Sequence, residues 1–115
     1  MEQTLLRDDK IWVRVAAVTD IPLLGARVVE TASGKPVALF RTGALKVLAV
    51  LDRCPHKAGP LSQGLVHGER VTCPLHSWQI DLNNGEAVAP DVGCAKSFAV
   101  LQDADSVYLL ADDLK

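Results

Sequence analysis

The sequence predicts an all-β fold, an antiparallel sandwich or barrel, and three observations carry that expectation. Apolar and β-branched residues fall in short runs rather than long ones. Gly, Asn, Asp and Pro punctuate the gaps between the runs at fairly regular spacing. No stretch carries the repeating apolar face of a three-turn amphipathic helix.

Taken in order, Ile11 to Val18 is the first run, and its side chains suit a pleated surface. Ala26 to Thr31 follows, with Ser33-Gly34 as a turn. Pro36 to Thr42 is the third run and Gly43 closes it. Lys46 to Leu51 is the fourth. Arg70 to Thr72 and Trp78 to Leu82 flank a short loop, and Asn83-Asn84-Gly85 is a strong turn signal. Ser97 to Leu101 and Ser106 to Ala111 are separated by the turn residues Gln102-Asp103-Ala104-Asp105. One helical turn after Asp20, or one near the C-terminus, is the most helix this pattern allows.

A chain of 115 residues suits one domain, residues 1–115, with no room for a second core. Its composition, 49% apolar and 23% charged, is that of a globular protein. The net charge of −2 offers no basic stripe for nucleic acid and no polybasic segment for an anionic membrane. No window reaches the roughly 18 apolar residues of a membrane helix, and the N-terminus lacks a secretory pattern. The expected compartment is therefore the cytoplasm, with neither a nucleic-acid nor a membrane partner. The three cysteines cannot all pair with one another, and in a reducing compartment Cys and His together point to metal or redox chemistry.

Residues 53–90 differ in character from the rest. They hold all three His, two of the three Cys and four of the six Pro, and read as a loop-rich subdomain on a β scaffold. Two motifs stand out there, Cys54-Pro55-His56 and Cys73-Pro74-Leu75-His76, with sixteen residues between His56 and Cys73. Each supplies one thiolate and one imidazole. A binuclear cluster with two Cys on one iron and two His on the other is well served by two facing loops that each give one ligand to each iron. A mononuclear zinc site more often groups its Cys and its His separately, yet these four donors could also hold zinc.

The stretches Cys54-Pro55-His56-Lys57-Ala58-Gly59-Pro60-Leu61-Ser62 and Cys73-Pro74-Leu75-His76-Ser77-Trp78-Gln79-Ile80-Asp81 resemble the two cluster loops of Rieske proteins. With Val37 to Thr42, Leu61 to Gly64 and Gly85 to Pro90, the chain looks most like the small subunit of assimilatory NAD(P)H-dependent nitrite reductases, from about Trp12 to Leu110. Rieske ferredoxins of aromatic-ring dioxygenases share the ligand pattern. The resemblance implies a Rieske-like antiparallel β-sandwich and a [2Fe–2S] cluster on Cys54, His56, Cys73 and His76. It also implies electron transfer to a partner. For a nitrite reductase, that partner is a large subunit with flavin, a [4Fe–4S] cluster and sirohaem that reduces nitrite to ammonium. For a free-standing ferredoxin, it is an oxygenase or reductase component. No residue of this chain is expected to be catalytic by itself.

Respiratory Rieske proteins carry an additional Cys in each loop, joined as a disulfide. Gly59 and Leu75 stand at those positions here, which implies a ferredoxin-like centre of lower potential. Backbone amides of Gly59, Gly64 and the non-proline residues that follow each Cys are the expected donors toward the sulfurs, while Pro55 and Pro74, directly after the ligands, each remove one. Leu75 and Trp78 are expected to shield one side, and the two imidazole edges to face solvent. Cys94 reads as a structural or loop thiol, His67 as a surface turn residue, Trp12 as a packing aromatic and Asp112-Asp113 as solvated. A zinc-stabilised binding module is the reading from another class.

Overall fold

The computed structural model describes residues 4–44, 46–53, 60–73, 78–88 and 93–114. In chain order the strands are β1 (Thr4–Arg7), β2 (Lys10–Ala17), β3 (Ala26–Glu30), β4 (Pro36–Gly43), β5 (Lys46–Leu51) and β6 (Leu65–His67). They continue with β7 (Arg70–Thr72), β8 (Gln79–Asp81), β9 (Ser97–Phe98), β10 (Val100–Asp103) and β11 (Ser106–Leu110). The helical content among the described residues is three short 3₁₀ turns, Val18–Asp20, Leu61–Gln63 and Ala111–Leu114.

The strands form three antiparallel sheets, ordered β1-β2-β11-β10, β3-β4-β5-β9 and β6-β7-β8. The second sheet is the middle layer. Successive side chains of a strand point to opposite faces, and β4 is buried on both. Val37 and Leu39 pack with Val47 and Ala49 against Ala16, Val107 and Leu109 of the first sheet. Ala38 and Phe40 pack with Val50 against Leu61, Val71, Cys73 and Ile80 on the other side. All four of these β4 side chains are fully buried. That explains why β4 reads as an unbroken apolar run rather than an alternating one. The second of these cores clamps the loop-rich region onto the sandwich.

The expected runs match β2 to β5, β7, β8 and β11 to within one or two residues. Ser97 to Leu101 is divided: β9 pairs with β5, whereas β10 pairs with β11 in the other sheet. The helical turn expected after Asp20 instead ends there, as Val18–Asp20, closed by the Ala17 N–H donating to Asp20 Oδ2 at 3.0 Å, and the one expected near the C-terminus is Ala111–Leu114. Two strands lacked a sequence signal. β1 is followed by a hairpin turn in which Asp8 and Asp9 both take left-handed φ values, 55° and 61°, a geometry usually signalled by Gly or Asn. β6 is three residues long and lies inside the loop-rich segment.

Candidate metal centre

The loops that carry the two Cys/His motifs have their bases packed together. The first loop leaves β5 at Asp52 and returns through the turn Leu61–Gln63. Its departure is held by the Asp52 N–H donating to the Pro36 carbonyl at 2.9 Å. Its two ends are tied by the Asp52 carboxylate, which accepts the Ser62 N–H at 2.6 Å and the Ser62 hydroxyl at 2.8 Å. Leu61, fully buried beneath that turn, anchors it in the second core.

The second loop leaves β7 at Cys73 and returns at Trp78. The Cys73 N–H donates to the Trp78 carbonyl at 2.6 Å, closing the loop at its base. Gly64 joins the two. It ends the Leu61–Gln63 turn, its N–H donates to the Leu61 carbonyl at 2.9 Å, and it abuts β7, the strand that leads into Cys73. A Cβ at residue 64 would collide with the Thr72 carbonyl oxygen and lie 2.9 Å from Val71 Cγ2. Only glycine lets the return of one loop touch the departure of the other.

A third segment lies against the same hairpin. Gly85, with φ of 76°, donates to the Asp81 carbonyl and accepts the Ala95 N–H, both at 2.7 Å. A side chain there would run into the Ala95 backbone. Val88 N–H donates to the Gln79 carbonyl at 2.8 Å, so the segment turns back across β8.

Of the four expected ligands, Cys73 lies among the described residues, and Cys54, His56 and His76 lie outside them, as do Gly59 and Leu75. Cys73 is 1% exposed and packs in the second core with Leu61 and Phe40. Trp78 packs against that core. A buried cysteine at the base of a loop is placed to serve a metal cluster as a thiolate ligand. The donor set of two thiolates and two imidazoles is also that of a Rieske centre.

Three details differ from the sequence reading. The Gly64 amide is spent on the Leu61 carbonyl, so it cannot donate to a cluster sulfur. His67 is the last residue of β6 rather than a turn residue, and its Nε2 lies 2.7 Å from Thr72 Oγ1 on the exposed face. Asp52 and Ser62 hold the first loop, yet no sequence pattern links them, because they meet across ten residues of loop. Cys94 is exposed and its thiol reaches the Ala95 carbonyl at 3.5 Å, a loop position as expected.

One pair of opposite charges lies beside the small sheet. Glu69, in the β6–β7 turn, forms an ion pair with Lys46 at the start of β5 and accepts the Asn83 amide at 3.0 Å. Lys46 first, and Asn83 second, hold the Glu69 carboxyl below the usual carboxylate range. An open cleft of about 560 Å³ beside them is lined by His67, Glu69, Arg70, Asp81 and Asn83. It is polar and does not include Cys73.

The Rieske [2Fe–2S] domain pattern matches residues 11–99. The chain belongs to the Rieske [2Fe–2S] domain family. Its cofactor is accordingly a Rieske-type [2Fe–2S] cluster. Among curated relatives, this Rieske chain is 29% identical over 102 residues to the ferredoxin component of a naphthalene 1,2-dioxygenase system from Pseudomonas aeruginosa, covering 85% of this chain and 93% of the relative. It is 50% identical over 48 residues to a 4beta-methylsterol monooxygenase from Methylococcus capsulatus, covering 42% of this chain. The Rieske chain spans only 13% of that monooxygenase, 19% of a chloroacetanilide N-alkylformylase oxygenase component and 28% of a methylxanthine N1-demethylase.

Two solved structures share the fold closely. The ferredoxin of carbazole 1,9a-dioxygenase from Nocardioides aromaticivorans superposes with a TM-score of 0.75 at 26% identity, over 85% of this chain and 95% of the other. A crystal structure assigned to a nitrite reductase NADPH (small subunit) also gives 0.75, at 30% identity, over 87% and 98% of the two chains. No helix among the described residues is long and apolar enough to cross a membrane.

Proposed function

We propose that Cys54, His56, Cys73 and His76 hold the [2Fe–2S] cluster, and that residues 1–115 act as one electron-transfer domain with its cluster-binding subdomain at about residues 53–90. The observation that carries the ligand assignment is the contact of Gly64 with Thr72, which seats the base of the Cys54/His56 loop against that of the Cys73/His76 loop. The cluster supplies a one-electron couple. The chain itself holds it in an apolar setting and tunes it through nearby amides and charges.

Within that reading, the protein serves as the small subunit of an assimilatory NAD(P)H-dependent nitrite reductase in the cytoplasm, and passes electrons within a complex with a large sirohaem- and flavin-containing subunit. The support is the 30% identity to the nitrite reductase small-subunit structure over 98% of that chain, together with the loop sequences. A second reading has its own support: the naphthalene dioxygenase ferredoxin component is covered over 93% of its length. On that reading the protein is a diffusible ferredoxin for an oxygenase.

Affinity capture of the tagged protein from nitrate-grown source cells separates the two. Co-purification of a large partner with sirohaem and flavin absorption supports the nitrite reductase assignment. Capture of an oxygenase component, or of no stable partner, rejects it in favour of the ferredoxin. A colourless protein with one zinc per chain and no sulfide after anaerobic purification rejects both.

A further inference from the structure

We infer that the Asp52 carboxylate is a positioning and tuning residue of the cluster: it ties the first loop shut and opposes the arrival of an electron. The inference rests on the ligand assignment above. Asp52 stands two residues before Cys54 in the chain and is 8% exposed. Both carboxylate oxygens are taken by one residue, Oδ1 by the Ser62 N–H and Oδ2 by the Ser62 hydroxyl. Among the described residues it has no ion-pair partner.

Two consequences follow from that arrangement. The first is geometric. The clasp joins residue 52 to residue 62, so it fixes the span of the loop that carries Cys54 and His56. Ser62 follows Leu61, which packs in the same core as Cys73, so the clasp sits on the same core as the base of the second loop. The second is electrostatic. A carboxylate removed from water, and neutralised by two dipoles rather than by a cation, keeps most of its negative potential in its surroundings. Net charge near an iron–sulfur cluster is one of the levers on its potential. Asp52 therefore lowers the affinity of the site for an electron, while the Ser62 hydroxyl disperses part of that charge.

The test is a redox titration of the anaerobically purified protein, with iron and sulfide analysis of each variant. Asp52→Asn keeps the shape and an acceptor for Ser62 but removes the charge. Its equilibrium constant for one-electron reduction should rise two- to tenfold, a tenfold change being about 59 mV for a one-electron couple. Ser62→Ala keeps the charge and removes the dipole that disperses it, so its constant should fall. Opposite shifts are the signature of charge, since loosening of the loop alone would move both variants the same way. Shifts of the same sign, or none, overturn the inference. If Asp52→Asn takes up no cluster, Ser62→Ala decides alone: a fall supports the role and no change or a rise overturns it. A wild-type protein without iron and sulfide would instead sink the ligand assignment, and the tuning role with it.

Discussion

Gly64 lies against the carbonyl oxygen of Thr72 with no room for a side chain between them. Gly64 belongs to the return of the first motif loop, and Thr72 immediately precedes Cys73. The position takes ordinary φ and ψ values, −80° and 176°, so glycine is required for proximity rather than for backbone freedom.

Gly64→Ala should therefore destabilise the fold by about 1–3 kcal/mol, the usual cost of forcing a methyl into a packed site. It should also reduce iron bound per chain, because the two loop bases are pushed apart. Urea unfolding and iron analysis check both. A variant with full stability and full iron would show that the contact does not register the loops.

The two cores make separable predictions. Leu61 and Leu109 are both fully buried, the first among the residues around Cys73 and the second between the two large sheets. Either Leu→Ala change should cost about 2–5 kcal/mol by denaturant unfolding. Only Leu61→Ala should alter the visible spectrum or the potential of the folded protein. Equal spectral effects from both would mean that the cores act as one.

His67 and His76 should behave oppositely. His67 touches Thr72 from the exposed face of the small sheet, so His67→Ala should keep a complete Rieske spectrum. His76→Ala should lose the His-ligated iron while the strands stay folded by circular dichroism. An intact cluster spectrum in the His76 variant would refute its assignment as a ligand.

Glu69 gives a pH dependence of definite sign. Lys46 and Asn83 lower its carboxyl pKa in the folded protein relative to the unfolded chain. Its contribution to stability is thus fully present above the unfolded value, near 4.5. It is lost as the pH falls below that and through the lower folded pKa. The gap in urea midpoint between wild type and Lys46→Ala should narrow over that acid range. Since the pair is exposed, added salt should narrow it at neutral pH as well.

The reduction potential should fall in the lower half of the Rieske range of roughly −150 to +300 mV. No disulfide joins the loops at Gly59 and Leu75. The Ser62 hydroxyl donates to Asp52, so it is not available to a sulfur. A potential in the upper half would mean that other donors reach the cluster.

Much of this protein was legible in the sequence because its signals are local. The runs of β2 to β5 are set by side chains a few residues apart, as is the turn between β10 and β11, which is the shorter Ala104-Asp105 because Gln102 and Asp103 pair in β10. The two Cys/His motifs, their loop flanks and the absent second cysteine pair are also matters of short-range order, and they were enough to indicate the cofactor.

The tertiary structure decided what depends on residues distant in the chain. The apolar run of β4 carries no sign that Leu39 faces one core and Phe40 the other. That division exists because a third sheet packs on the outer face of the second. Nor does a strand signal at Ser97 to Leu101 reveal that its two ends pair in different sheets. The Asp52–Ser62 clasp, the Gly64–Thr72 contact and the Lys46–Glu69 pair are all products of loop closure. Their partners have no shared sequence pattern, because a hydrogen bond or a steric fit constrains only the atoms that meet. Which atoms meet was settled when Phe40, Leu61 and Ile80 were buried together.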